Sequence, residues 1–363
     1  MNVQGKHYRS AWWDESEAAL RIVDQTALPH DFRVVSLRSV AEVCDAIRTM
    51  RVRGAPLIGV VAAYGLALAL RQDPGAEERA VADLLATRPT AVNLRWALDR
   101  VRAAIADAPA SERAARALVC AHRLADDDVE VSRAIGAHGL TVTREIWQRR
   151  APGKKQLEIL THCNAGWLAT VDWGTALSCV YQTHDAGIPV HVWVDETRPR
   201  SQGARLTAWE LGQHDVPHTL VSDSSAGHLL QRGLVDLCLV GSDRTTAAGD
   251  VCNKIGTYPL ALAAADNRVP FYVALPYSSI DWEIQDALAE IPIERRDGSE
   301  VTHVLGRAAD GAEHTVAISP PATQAMNFAF DVTPARYVTA LITERGIFPV
   351  NAEGLAALAR ARS

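Results

Sequence analysis

The sequence predicts an α/β protein in two parts: a mainly helical N-terminal domain with a small β element over residues 1–150, and a parallel-sheet α/β domain over residues 151–363. Three observations carry this reading. At roughly 150 residues per domain, a chain of 363 residues holds about two domains, each able to bury a core. From Leu157 onward the hydrophobic texture changes from long helical periodicity to short apolar runs separated by helical stretches. Between the two textures lies Arg149-Arg150-Ala151-Pro152-Gly153-Lys154-Lys155, charged and broken by a Pro-Gly pair, as a linker should be.

In chain order, Leu20–Val23 and Phe32–Leu37 flank the turn-prone Leu28-Pro29-His30-Asp31 and read as a hairpin or two adjacent strands. Ser39-Val40-Ala41-Glu42 is a capping box, so a helix runs from Val40 to about Met50. Pro56 suits the first turn of the next helix, Ala55–Leu70, because an N–H there has no partner to lose. Further helices are expected over Ala76–Ala86, Ala91–Ile105 and Glu112 to about Ala137, with Arg88-Pro89-Thr90 breaking the first two apart. In the second part, strands are expected at Leu157–Leu160, Val190–Val194, Thr219–Val221, Val235–Val240 and Phe271–Ala274. Helices at Gly174–Thr183, Gly203–Gln213, Ala226–Gln231 and Ile255–Ala265 alternate with them, the pattern of a parallel sheet wrapped by helices.

The composition excludes several functions. Hydrophobic residues make up 48% and charged residues 22%, a globular mixture rather than a disordered one. With 37 basic and 43 acidic residues the formal charge is -6, which argues against a nucleic-acid partner bound through phosphate neutralisation. The first residues, with Lys6, Arg9, Asp14 and Glu15, lack the apolar core of an export signal. The six cysteines, at 44, 120, 163, 179, 238 and 252, form no C-x-x-C pair, so a reducing cytoplasm is the expected location. The uncharged run Gly54–Leu70 is at the short end of a membrane span, about 17–25 residues, and its Gly and Ala content fits a buried core helix; no membrane is expected.

In parallel sheets, ligands sit beyond the carboxyl ends of the strands. Those ends lead into Thr161-His162-Cys163-Asn164-Ala165-Gly166, Asp195-Glu196-Thr197-Arg198-Pro199 and Gly241-Ser242-Asp243-Arg244, which gather a thiol, carboxylates and guanidinium groups on one edge. No G-x-G-x-x-G follows a strand, and G-x-x-x-x-G-K-[ST] and H-E-x-x-H are missing, so no cofactor is expected. Zinc on Cys163 and His162 lacks further closely spaced ligands, and no metal is expected either. Arg53-Gly54-Ala55-Pro56 at one helix start, and Gly249-Asp250-Val251-Cys252-Asn253-Lys254 before another, read as anion sites, or else as a glycine for close packing with solvated charges beside it.

Several motifs together carry a resemblance. Met50-Arg51-Val52-Arg53-Gly54-Ala55-Pro56, Arg88-Pro89-Thr90-Ala91-Val92-Asn93-Leu94 and the Cys163 loop are followed by Glu196 to Leu211, Gly241-Ser242-Asp243-Arg244 and Gly249 to Tyr258. The set resembles the methylthioribose-1-phosphate isomerases of methionine salvage, within the wider superfamily of translation initiation factor 2B subunits. Trp12-Trp13 and Ile22-Val23-Asp24-Gln25-Thr26 are similar to the isomerase branch. The resemblance spans about Tyr8 to Pro349 and implies a Rossmann-like second domain, a homodimer and a sugar-phosphate substrate. It implies Cys163 and Asp243 as the catalytic pair, and Arg53, Gly54, Ala55, Arg88, Gln202, Asn253 and Lys254 as substrate contacts.

These residue types suit the chemistry. Phosphate on the anomeric oxygen blocks ordinary ring opening, so a thiol or carboxylic acid in a dry pocket must protonate the departing ring oxygen. Asp243 is expected as that acid, with Cys163 as partner acid or charge stabiliser, and Arg53, Arg88 and Lys254 on the phosphate. Glu196 and Arg198 are expected to pair with each other and shape their loop; Asp243 has the plainer alternatives of a strand-end cap or a salt bridge with Arg244. His162 either tunes Cys163 or caps the strand end, and Asp223 either lines the crevice or caps a helix. Cys44, Cys120, Cys179 and Cys238 are expected in the core. Three departures from the family pattern, Trp167, Ala248 and Phe328, bear on substrate choice, a large indole being expected to narrow the pocket. 5-Deoxyribose 1-phosphate, ribose 1,5-bisphosphate and a non-catalytic sugar-phosphate or nucleotide sensor are the alternatives.

Overall fold

A computed structural model describes residues 1–88, 92–284 and 286–361. Pro89 and Thr90 of the expected break, and Ala91, the expected start of the next helix, lie outside them. Ala19–Val23 pairs antiparallel with Val34–Leu37, the expected hairpin, and a third strand, Ala11–Asp14, joins it through Trp13 opposite Leu20. Helices follow at Val40–Arg48, Ala55–Gln72, Glu77–Leu85, Val92–Ile105 and Ala110–Gln148. Ser39 caps the first by accepting from the Glu42 N–H at 3.2 Å, while the Glu42 carboxylate reaches back to the Arg38 N–H, one residue beyond the box. Ala55–Gln72 passes the length and hydropathy test for a membrane span, yet it lies within the core of the helical part, buried nearly all round. The last helix outruns the expected end near Ala137 by passing through Gly136 and Gly139. Those glycines let it approach the helix Ala176–Asp185 closely: a Cβ on Gly139 would stand 2.1 Å from Cys179 Sγ.

The central sheet has seven strands, in the order Gly346–Pro349, Ala340–Thr343, Phe271–Ala274, Leu237–Val240, Leu157–Thr161, Val190–Asp195 and His218–Val221. Only the edge strand Gly346–Pro349 is antiparallel. Numbered along the chain, the parallel strands read 3-2-1-4-5-6, so the winding reverses between Leu157–Thr161 and Leu237–Val240. At such a switch point the loops after the two strands diverge and leave a crevice. Those loops carry Cys163 and Asp243.

A smaller sheet, Ile280–Asp281, Arg244–Thr246, Val251–Lys254 and Phe330–Thr333, was not foreseen. Residues 251–254, expected as loop before a helix from Ile255, are a strand because they pair with Phe330–Thr333, Lys254 opposite Phe330; the helix is Thr257–Asp266. Between Asp281 and Phe330 the chain forms a strap containing the two-residue pairing of Arg295–Arg296 with Asn327–Phe328 and a hairpin, His303–Arg307 with Glu313–Ala317.

The close helix contact gives a test of packing. Gly139→Ala should destabilise by about 1–3 kcal/mol, lowering Tm by several degrees. Gly227→Ala, at a helical position with open space, should leave Tm level or raise it slightly. Thermal melts of both variants check this.

Candidate active site

Three adjoining cavities of 430, 400 and 410 Å³ open at the switch point and share Gly54 and Asp243. All nine residues singled out in the sequence line at least one of them, and Cys163 and Asp243 line two together. Gly54 begins the helix Ala55–Gln72 with φ +98°, and a Cβ there would meet the Ala169 carbonyl oxygen at 2.4 Å, so only glycine brings the helix start this near the Cys163 loop. The first N–H groups of that long helix therefore face the crevice, an arrangement that favours an anion.

Cys163 is held in the left-handed region, φ +67°, which costs roughly 1–3 kcal/mol for a non-glycine residue and is maintained by its neighbours. Thr197 Oγ1 accepts from its N–H at 2.8 Å, and Thr207 Oγ1 donates to its carbonyl at 2.7 Å. The thiol is buried and donates to Gln202 Oε1 at 3.1 Å. Burial pushes its pKa up; Arg53 and Lys254 pull it down without reversing the shift. A neutral thiol is the resting form.

The cations fall into two groups. Arg53 is buried and donates to the side-chain and backbone oxygens of Asn164, the latter at 2.7 Å, so its charge meets no carboxylate there. Asn164 is in turn held by Glu210, Nδ2 to Oε1 at 3.0 Å. Lys254 is buried on its strand, which lowers its pKa, and among the described residues no group hydrogen-bonds its ammonium. Arg88, by contrast, places Nε and Nη2 3.1 and 3.0 Å from Glu294 Oε2. Arg200 and Arg296, not foreseen, line the same cavity as Cys163 and both bond Glu300. Burial pushes the Glu300 carboxyl up, but the bonds from Arg296 and Arg200 outweigh it and bring its pKa to about 2.

Asp243 is the opposite case. Burial raises its pKa above the ordinary carboxyl value; Arg88, Arg53 and Lys254 draw it down only in part, and Glu294 adds to the rise. No described residue hydrogen-bonds its side chain, which keeps some surface open to the cavity. It does not pair with Arg244, whose guanidinium lies 3.7 Å from Asp281. A carboxyl with a raised pKa in a cationic pocket is a candidate proton donor.

Other expectations are corrected. Arg198 bonds the carbonyls of Pro199 and Val301 rather than Glu196. His162 engages both ring nitrogens elsewhere, with Asp195 at 3.1 Å and the Ile255 carbonyl at 2.8 Å, so it caps the strand end and forms no zinc pair with Cys163. Asp223 accepts from the N–H groups of Thr197 and Arg198 and so holds that loop instead of capping a helix. His162, Asp195 and Asp223 do bring ligand atoms within 4.8 Å of one another; both ring nitrogens of His162 and both oxygens of Asp223 are spent on these bonds, while Asp195 Oδ1 has no partner among the described residues. The expected anion site at the helix after Lys254 is filled by Asp331, which accepts from the Gly256 and Tyr258 N–H groups; Cys252, Asn253 and Lys254, on the strand before it, line the cavities. Cys44, Cys179 and Cys238 are buried as expected, whereas Cys120 is only partly so.

The three departures do not touch the cavities. Trp167 is fully buried, its ring 6.0 Å from that of Trp209; Ala248 is exposed on a turn; Phe328 is 38% exposed opposite Arg295. The apolar lining comes instead from Ile58, Cys252, Ile291, Pro292 and Phe330. Ile291, Pro292 and Arg296 belong to the strap, whose sequence carries no recognisable pattern beyond its charges; only the fold reveals that it closes over the site.

Residues 51–350 match the family model described as the initiation factor 2 subunit family. The chain is 58% identical over 360 residues to the methylthioribose-1-phosphate isomerase of Methylorubrum populi, covering 99% of this chain and 98% of that protein. It is 56% identical to that of Rhodospirillum rubrum, covering 99% and 93%. Its fold superposes on the crystal structure of 5-methylthioribose 1-phosphate isomerase from Pyrococcus horikoshii with a TM-score of 0.83, 38% identity and coverage of 98% and 97%. For translation initiation factor eIF-2B, subunit delta, from A. fulgidus, the TM-score is 0.78, with 38% identity and coverage of 96% and 100%.

The raised Asp243 carboxyl predicts a stability effect with a definite sign. A folded pKa above the unfolded value near 3.9 means that the native state holds the proton more tightly, so stability falls as pH rises through that window. Asp243→Asn removes the penalty. Its Tm should exceed that of the parent by more at pH 8 than at pH 4, as calorimetry at the two pH values checks.

Proposed function

Because the chain belongs to the initiation factor 2 subunit family and, within it, to the methylthioribose-1-phosphate isomerases, we propose that it converts 5-methylthioribose 1-phosphate to 5-methylthioribulose 1-phosphate, an aldose-to-ketose step of methionine salvage. One observation carries the site assignment: Cys163 and Asp243, from the loops on either side of the switch point, line one cavity with Arg53 and Lys254. Asp243, whose carboxyl pKa burial raises, gives its proton to the ring oxygen as the bond from C1 breaks. Positive charge then develops at C1. The neutral thiol of Cys163 lies against the reacting carbons and stabilises them, with bulk water kept out. The Asp243 carboxylate so formed takes back a proton as C2 becomes a carbonyl. In one route that carboxylate takes the proton from C2 to give an enol phosphate, then returns a proton to C1 and recovers one from the C2 hydroxyl as the carbonyl forms. In the other, hydrogen moves from C2 to C1 as hydride and the proton comes from the C2 hydroxyl.

Arg53, Lys254, Arg88 and the N–H groups of Gly54 and Ala55 hold the phosphate in this reading, with Gln202 and Asn253 beside them. The apolar wall of Ile58, Ile291, Pro292 and Phe330 favours a methylthio group over a second phosphate. The presence of both Cys163 and Asp243 favours an enzyme over a sensor, since binding alone needs neither. We place the protein in the cytoplasm, in keeping with six free cysteines, and propose a homodimer on the family likeness.

Purified protein should turn over 5-methylthioribose 1-phosphate, and Cys163→Ala or Asp243→Asn should lower kcat by about 100-fold or more while binding persists. Tight binding without turnover in the parent would establish the sensor instead. Faster turnover of ribose 1,5-bisphosphate would overturn the substrate assignment. In heavy water, solvent deuterium at C1 of the ketose marks the enol route, and its absence supports hydride transfer.

A further inference from the structure

The strap bears two carboxylates for which the reaction as derived has no use. Glu294 Oε2 takes Nε and Nη2 of Arg88, while Glu294 Oε1 takes Arg296 Nη1 at 3.0 Å. Arg296 turns Nε and Nη2 to Glu300, and Glu300 Oε1 accepts from Arg200 Nη1 at 2.6 Å. Glu300 Oε2 also accepts from Asn327 Nδ2 at 2.8 Å. The result is a continuous chain of alternating charge, Arg88–Glu294–Arg296–Glu300–Arg200, that joins three segments far apart in sequence. Its three arginines line the cavity of Cys163 and Asp243, whereas neither glutamate does.

We propose that Glu294 and Glu300 are positioning residues of the isomerisation, holding Arg88 and Arg200 in the orientation that receives the sugar phosphate. This rests on the isomerase reading of the same cavity. An arginine carries about 2 kcal/mol of rotamer entropy, and a guanidinium fixed in advance spares the substrate that ordering. The pattern of bonds leaves donors for a ligand. With Nε and Nη2 of Arg88 on Glu294, Nη1 meets, among the described residues, only the Met50 sulfur, a weak acceptor, at 3.5 Å. Arg200 spends Nη1 on Glu300 and keeps its buried Nε without a partner among the described residues. A phosphate oxygen is the acceptor such donors fit. Because Arg88 and Glu294 stand 206 positions apart in the chain, the pair also ties the helical part to the strap across the cavity.

The test is a double-mutant cycle on the intact protein. Glu294→Gln should raise KM for 5-methylthioribose 1-phosphate about tenfold with kcat within about threefold, and Glu294→Asp should restore part of it. In an Arg88→Ala background, Glu294→Gln should add almost nothing, because its effect runs through that arginine. A merely structural carboxylate would give additive losses in the two backgrounds and a fall in Tm instead. An unchanged KM for Glu294→Gln, or full additivity, overturns the proposal. Should Glu294→Gln fail to fold, Glu300→Gln read against Arg200→Ala answers the same question. Titration with inorganic phosphate, followed by calorimetry, repeats the cycle without catalysis. If the parent shows no turnover but phosphate binding still depends on Glu294 only when Arg88 is present, the isomerase reading fails and the positioning role stands.

Discussion

A carboxylate with no accessible surface, Glu210, ties the site together. It accepts from the Trp167 and Leu168 N–H groups at 2.7 and 2.8 Å, from the Tyr181 hydroxyl at 2.9 Å and from the Asn164 amide at 3.0 Å. A buried charge is tolerated only when its lone pairs are filled, and here four donors fill them. The loop after the first strand of the sheet is thereby wrapped around one carboxylate. Gly166 lies so near it that a Cβ would meet Oε2 at 2.1 Å. With Asn164 pulled down onto Glu210, its carbonyl groups point to Arg53, and the preceding residue, Cys163, is lifted into the left-handed conformation that brings its thiol to the cavity. Arg53 owes its freedom from a direct carboxylate partner to this intervening amide: neutral Asn164 orients the guanidinium without neutralising it, as the proposed phosphate contact requires.

The fold supplies the rest of the geometry by topology. Reversal of the strand order between Leu157–Thr161 and Leu237–Val240 leaves two adjacent strands whose following loops part company, and the crevice between them is filled from above by the start of Ala55–Gln72. That helix is buried along nearly its whole length, so its N-terminus is anchored as firmly as the core itself. The phosphate contacts proposed for this helix start would need little reorganisation on such a frame.

Much of this was legible in the sequence, for reasons that differ from residue to residue. Helix starts at Ser39 and Pro56 are written in local chemistry, and both appear where that chemistry puts them. The strands Leu157–Thr161 and Val190–Asp195 are short apolar runs ending in polar loops, and the loops carry the reactive groups. Cavity-lining positions followed from motifs. What local pattern did not encode was pairing over long distances. Lys254 lies on a strand only because Phe330 is beside it, and the N–H groups of the next helix are unavailable to a ligand only because Asp331 arrives from residue 331. Trp167 misled for the same reason: next to the Cys163 loop in sequence, it points into the core against Trp209. The strap residues Glu294, Arg296 and Glu300 look like an ordinary solvated charge run until the fold sets Arg88 and Arg200 against them.

Three carboxylates within this one site show how environment, rather than residue type, assigns a role. Glu300 faces Arg200 and Arg296 with hydrogen bonds from both and is held ionised, its pKa about 2. Glu210 is deeper, and burial raises its pKa, yet its four donors are arranged for the charged form and make it a structural anion. Asp243 has cations in its neighbourhood but no hydrogen bond from a described residue, so desolvation dominates and the proton stays on longer than on an ordinary aspartate. A donor bonded as Glu300 is would have no proton to give; a carboxyl as satisfied as Glu210 would not move toward a substrate. Asp243, without a hydrogen-bond partner among the described residues and lining a cationic cavity together with the Cys163 thiol, is the carboxyl that best suits the proton exchange proposed above. Electrostatic field without direct contact is the condition at position 243, where the guanidinium of Arg88 is bonded to Glu294 and that of Arg53 to Asn164.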